Sequence, residues 1–161
     1  MGKKVIIIVS SVVVLFIALI FAVNYKNNQA LDGDNPYGTT DLDQATIDQL
    51  GDPLYENQVL PDDLLEQVNS GESTTVYFYS PTCSFCQQTT PYLVPLSEDM
   101  DVDLKKLNLL EFGSEAGPFA IQSTPTVVHY ENGEEIARLE GQHQEEQYES
   151  FFNQYVLEEA E

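Results

Sequence analysis

The feature that most constrains this chain is a buried strand that runs directly into a pair of cysteines. Thr74-Thr75-Val76-Tyr77-Phe78-Tyr79 is β-branched and aromatic throughout and reads as an interior strand. After Ser80-Pro81-Thr82 come Cys83-Ser84-Phe85-Cys86, which hold the only two cysteines. The stretch 87–97 then reads as a helix. Two thiols three positions apart at a helix start can close into a disulfide and reopen with a partner. A strand, a short loop and a Cys-x-x-Cys helix start therefore point to thiol–disulfide exchange on a sheet-centred fold.

The rest of the chain divides by composition. Residues 5–23 are apolar except for Ser10 and Ser11. As a helix this run spans about 28 Å, close to the hydrocarbon core of a bilayer. Lys3 and Lys4 precede it and Lys26 follows it, which favours a cytoplasmic N-terminus and an exported remainder. An uncleaved single-span anchor is expected over residues 1–23. The rival is a cleaved signal peptide, but the run is long for one and no small-x-small site follows it. No cysteine lies near the run, so a lipoprotein is excluded.

All 27 acidic residues follow Leu31, against only Lys105, Lys106 and Arg138 there, and the whole chain carries a net charge of −21. That balance argues against nucleic acid or an anionic lipid surface as a partner. It reads as solubility in a salty or alkaline exterior. Steering of a basic protein partner is the functional alternative, and it requires an association rate that falls as salt rises. Residues 24–57, polar and poor in large apolar side chains, are expected to be an acidic tether with a short helical turn near Thr46. Residues 58–161 are expected to be the folded domain.

Within that domain, Val59-Leu60 is expected to be a short strand and 61–68 a helix opened by Pro61 and stopped by Gly71. The strand 74–79 and the cysteine helix with Pro91 inside it follow. Further expectations are a strand at 102–108, a helix at 112–121, and a strand at 126–130. Asn132-Gly133 marks a hairpin turn into a strand at 136–140. A closing amphipathic helix is expected at 144–158, with Tyr148, Phe151, Phe152 and Tyr155 as a core stripe. The order β-α-β-α-β-α-β-β-α implies an α/β fold with a central mixed sheet flanked by helices.

Over residues 58–161 this string of motifs resembles the thioredoxin superfamily. Cys83-Ser84-Phe85-Cys86 follows a hydrophobic strand, and Pro91 stands where thioredoxins carry the proline of the active-site helix. Lys106-Leu107-Asn108 looks like the end of the next thioredoxin strand, and Thr124-Pro125-Thr126 looks like the cis-proline motif. Asn132-Gly133-Glu134 and Gly141 continue the pattern. With the anchor, the chain also resembles membrane-tethered, extracytoplasmic thioredoxin-like proteins of Gram-positive bacteria. The resemblance implies a thioredoxin fold and a thiol–disulfide oxidoreductase acting on cysteine-containing proteins. Cys83 would be the exposed attacking thiol and Cys86 the resolving one. Pro125 would be cis beside them, with Thr124, Pro125, Ser84 and Phe85 in contact with an extended substrate. No organic or metal cofactor is implied, since the redox group is the Cys83–Cys86 disulfide itself.

The departures are specific. Thr82 replaces the usual tryptophan, Ser84-Phe85 replaces Gly-Pro, and Tyr77 stands where thioredoxins bury an aspartate that assists the second cysteine. Lys106 would then lack its acidic neighbour, and proton handling would fall to another group. Recycling calls for a membrane thiol carrier if the protein is a reductase, the favoured direction, or for an oxidase partner if it forms disulfides. A non-catalytic binding module of the same fold is a further alternative. A structural disulfide would close too small a loop to stabilise much. A zinc site needs two more ligands, and His129 and His143 read instead as packed or solvated histidines.

Overall fold

The computed structural model describes residues 2–31 and 35–157, which fall into two compact units divided after Thr40. The first holds helix α1, Lys3–Leu31, whose apolar side chains are exposed along its length. It is long and apolar enough to cross a membrane. Ser10 and Ser11 fit an apolar span because their hydroxyls donate back to the Ile7 and Ile8 carbonyls, at 3.0 and 2.8 Å. The helix runs past Val23, where the anchor was expected to end. No glycine or proline falls between Val23 and Gly33.

The second unit begins at Asp41 and takes in much of the expected tether. Helix α2, Gln44–Ile47, is capped by the Asp43 carboxylate, which accepts from the Ala45 N–H at 2.8 Å. A 3-10 turn, Pro53–Tyr55, is capped by Asp52 in the same way. Thr46 is fully buried, accepting from the Asn108 amide at 3.0 Å and donating to the Glu111 carboxylate. Asn57 donates to Asp103 at 2.7 Å and to the Leu104 carbonyl at 3.0 Å. Residues 41–57 are therefore part of the fold and not a tether. Their polar residues serve as caps and cross-links, which composition alone does not distinguish from solvated linker.

The remaining elements are helix α3 (Pro61–Asn69), strand β1 (Thr74–Tyr79), helix α4 (Ser84–Asp99), strand β2 (Leu104–Asn108), helix α5 (Leu109–Phe112), strands β3 (Thr126–Glu131) and β4 (Glu134–Glu140), and helix α6 (Glu145–Phe152). The sheet order is β2-β1-β3-β4, with β1 parallel to β2 and the other pairs antiparallel. The strand expected at Val59-Leu60 shrinks to a single bridge between Gln58 and Lys106. Pro61 ends it, lacking an N–H for the ladder and opening α3 instead. The helix expected at 112–121 splits into α5 and a 3-10 turn at Gly117–Phe119, with Ala120 left-handed at φ 51°. Gly113, Gly117 and Pro118 interrupt it. Asn132 and Gly133 take φ of 51° and 85°, the two left-handed residues of a tight hairpin. The closing helix widens to a π-turn at Asn153–Leu157, and Glu158 lies outside the described residues.

Every residue of β1 is buried, because the sheet is covered on both faces. On one face Val76, Phe78, Leu107 and Val128 pack with Leu64 and Val68 of α3 and with Phe119. On the other, Tyr77, Tyr79 and Val127 pack with Cys86 and Leu93 of α4 and with Tyr148, Phe151 and Phe152 of α6. The aromatic stripe of α6 is thus core. If 41–57 is integral, Thr46→Val strips the Asn108 amide and Glu111 of a buried partner and costs about 1–2 kcal/mol in denaturant unfolding. An unchanged midpoint would show that this segment does not dock.

Candidate active site

The register of the sheet assembles the site. Phe78 lies opposite Thr126 across β1 and β3, so the chain leaving β1 and the chain entering β3 meet at one end of the sheet. The first carries Cys83 and the second carries Thr124-Pro125, whose peptide bond is cis. The thiol of Cys83 lies 3.4 Å from the Thr124 carbonyl oxygen. The loop between β1 and α4 is held by the Cys83 N–H on the Ser80 carbonyl at 3.1 Å and by the Gln87 amide on the Pro81 carbonyl at 2.8 Å.

Cys83 is the N-cap of α4. Its backbone is extended, its carbonyl accepts the first helical bond from Gln87, and its sulfur accepts from the Cys86 N–H at 3.4 Å. Both cysteines are free thiols, Cys83 partly exposed and Cys86 buried at 1 %. Their environments push the two in opposite directions. Partial burial works to raise the Cys83 pKa, but hydrogen bonds from Thr124, the Cys86 thiol and the backbone N–H groups of Cys86 and Phe85 outweigh it and hold it below the ordinary thiol value. Burial pushes Cys86 up to about 11. One thiol is prepared as an accessible nucleophile, and the other waits protonated beneath it.

The other expected site residues are at hand. Ser84 and Phe85 form the first turn of α4, both exposed, with Phe85 at 54 %. Pro125 is buried and Thr124 partly exposed. The two segments that carry the site residues hold no Asp, Glu, Lys or Arg, between Ser80 and Ser97 and between Ala116 and Tyr130, while the adjoining strand β4 sets Glu140 opposite Thr126 and Arg138 on the Phe119 carbonyl. His129 does not join it. It is fully buried, with Nδ1 2.9 Å from the Thr75 hydroxyl and Nε2 3.0 Å from Glu131. His143 Nε2 sits 3.0 Å from the Glu140 carbonyl.

Lys106 turns its ammonium to the Glu56 carbonyl at 2.9 Å, and burial lowers its pKa against the pull of Glu98, Asp103 and Glu56. The Tyr77 hydroxyl lies 3.0 Å from that of Thr90, which donates to the Cys86 carbonyl at 2.8 Å. Sequence reasoning missed Thr90 and Tyr55. Thr90 was readable in principle, four residues after Cys86 on the same helix face. Tyr55 was not, because it arrives from the segment read as tether.

The family model described as Thioredoxin matches residues 57–154. A thioredoxin of Rickettsia bellii is 32 % identical over 95 residues, covering 58 % of this chain and 83 % of that protein. Protein disulfide isomerase-like 1-3 of Oryza sativa is 32 % identical over 93 residues, covering 55 % of this chain and 17 % of that one. The crystal structure of thioredoxin f2 from Chlamydomonas reinhardtii superposes with a TM-score of 0.54 at 27 % identity, over 62 % of this chain and 94 % of the other.

The opposed shifts give the two thiols separate pH profiles. A thiol with a lowered pKa stays ionised to lower pH, and one with a raised pKa stays protonated to higher pH. Alkylation of Cys83 in the Cys86→Ser chain should reach half its plateau below the ordinary thiol range. Alkylation of Cys86 in the Cys83→Ser chain should reach it above the ordinary thiol range, because burial remains. Coincident profiles would contradict the assigned environments.

Proposed function

The chain belongs to the thioredoxin family of thiol–disulfide oxidoreductases, and we propose that it is a membrane-tethered, extracytoplasmic member that reduces disulfides in protein substrates. The carrying observation is the position of Cys83: a partly exposed thiol capping α4, held below its ordinary pKa and set directly over buried Cys86. In the reducing direction the Cys83 thiolate attacks one sulfur of a substrate disulfide. A mixed disulfide forms, and the other substrate sulfur leaves with the electron pair and takes up a proton. Cys86 then attacks the Cys83 sulfur. The Cys83–Cys86 bond forms and the bond to substrate breaks. The Cys86 proton ends on the departing substrate thiolate. The substrate gains two electrons, and the protein becomes a disulfide.

Thr124, with Pro125 behind it, offers an edge of backbone to an extended substrate segment, and Phe85 offers an exposed ring at the same site. The uncharged segments that carry them suit a neutral or apolar substrate stretch on an otherwise acidic protein. Helix α1 supports the tether, and Lys3 and Lys4 at its start support an external domain. A reductase in that location requires electrons from a membrane thiol carrier. The order of elements, plain and without a large helical insertion, favours reduction over disulfide formation.

The Cys86→Ser chain should accumulate a mixed disulfide with a model disulfide-bonded protein. The Cys83→Ser chain should form none. Gel analysis under non-reducing conditions checks both, and the reverse pattern would overturn the roles.

A further inference from the structure

Resolution requires Cys86 to become a thiolate inside the protein. It is 1 % exposed, and an unpaired anion there is costly. The titratable groups coupled to it are Cys83 at the start of its own helix, Tyr77 from β1, Tyr148 from α6 and Tyr55 from the 3-10 turn, while hydrogen bonds from the Ser80 backbone and the Thr124 side chain favour its thiolate from the loops on either side. None of these is a carboxylate. The cation on β2, Lys106, is engaged with the Glu56 carbonyl.

The hydrogen bonds under Cys86 have a defined polarity. A threonine hydroxyl has one proton, and that of Thr90 goes to the Cys86 carbonyl. In the contact between Tyr77 and Thr90 the phenol must therefore be the donor. Tyr77 is fully buried in the same core cluster as Cys86. Its own pKa is driven far upward by burial and by the neighbouring cysteine, so it remains a phenol and can donate but not accept a proton as a base.

We propose that Tyr77 is the hydrogen-bond donor to the Cys86 thiolate in the resolving step, its hydroxyl parked on Thr90 in the dithiol and turning to the sulfur as the proton leaves. The turn redirects the phenolic O–H and leaves the Thr90 bond to the Cys86 carbonyl in place. Tyr77 neither gains nor loses a proton. The Cys86 proton passes to the departing substrate thiolate, so no external base is required. The resolving step then carries no carboxylate titration, only that of Cys86 itself. This assignment rests on reading the cysteine pair as a redox couple, but its test does not.

The test is a titration of Cys86, isotope-labelled at Cβ and followed by NMR, in the full chain carrying Cys83→Ser in detergent micelles. Adding Tyr77→Phe should raise the Cys86 midpoint by about one pH unit, a roughly tenfold loss of thiolate at a given pH. Adding Thr90→Val instead removes the parking acceptor, frees the phenol for the sulfur, and should leave the midpoint unchanged or lower. With Cys83 restored, Tyr77→Phe should slow collapse of a mixed disulfide about tenfold without slowing its formation. An unchanged midpoint in Tyr77→Phe would overturn the proposal, as would a rise in Thr90→Val, which is measurable even if the Tyr77 variant fails to fold. A normal midpoint shift with no exchange in the unmodified chain would overturn the redox reading alone.

Discussion

The hydrogen bond from the Cys86 N–H to the Cys83 sulfur is the contact on which the rest of the site depends. It makes the cysteine side chain the cap of α4, in place of the usual hydroxyl or carboxylate. A cap stands at the positive end of the helix dipole, among N–H groups with no helical acceptor. That placement exposes Cys83, adds the Cys86 and Phe85 N–H groups to Thr124 in lowering its pKa, and sets Cys86 one turn below it in the core. The difference between the two thiols follows from where the helix starts.

The start of the helix is set in turn by the sheet. β1 is the central strand, paired parallel to β2 and antiparallel to β3, so its C-terminal end is flanked by the chain entering β3. Hence Thr124 and Pro125 arrive beside Cys83 without any direct sequence linkage. On the other side of β1, residues 41–57 close over β2 and bring Tyr55 against Tyr79, with ring centroids 5.6 Å apart. The floor of the site is therefore built from three tyrosines, 55, 77 and 79, and a threonine. Hydroxyl groups do there what a buried charge would otherwise do, without the desolvation cost of a carboxylate.

Much of this was legible in the sequence where the deciding physics is local. β1 was read residue for residue from its β-branched and aromatic run, and the Asn132-Gly133 turn from its need for positive φ. The paired cysteines announced the site, and resemblance brought Thr124 and Pro125 to it. Where tertiary contacts decide, the reading failed. Residues 41–57 have a linker's composition, and only their tertiary contacts, such as Thr46 with Asn108 and Glu111, Tyr55 with Tyr79 and Asn57 with Asp103, show them docked. Val59-Leu60 has strand propensity, but Pro61 leaves it a single bridge. Tyr77 was visible only as a missing aspartate, because its partner Thr90 lies across the core on another element.

The most direct test of the account is the reduction potential of the Cys83–Cys86 couple in the full chain. As a reductase built on a thioredoxin fold, it should show a single two-electron transition in the thioredoxin region, about −270 mV. A value near about −120 mV would contradict the reducing direction, and a pair that does not exchange would contradict the enzyme reading itself.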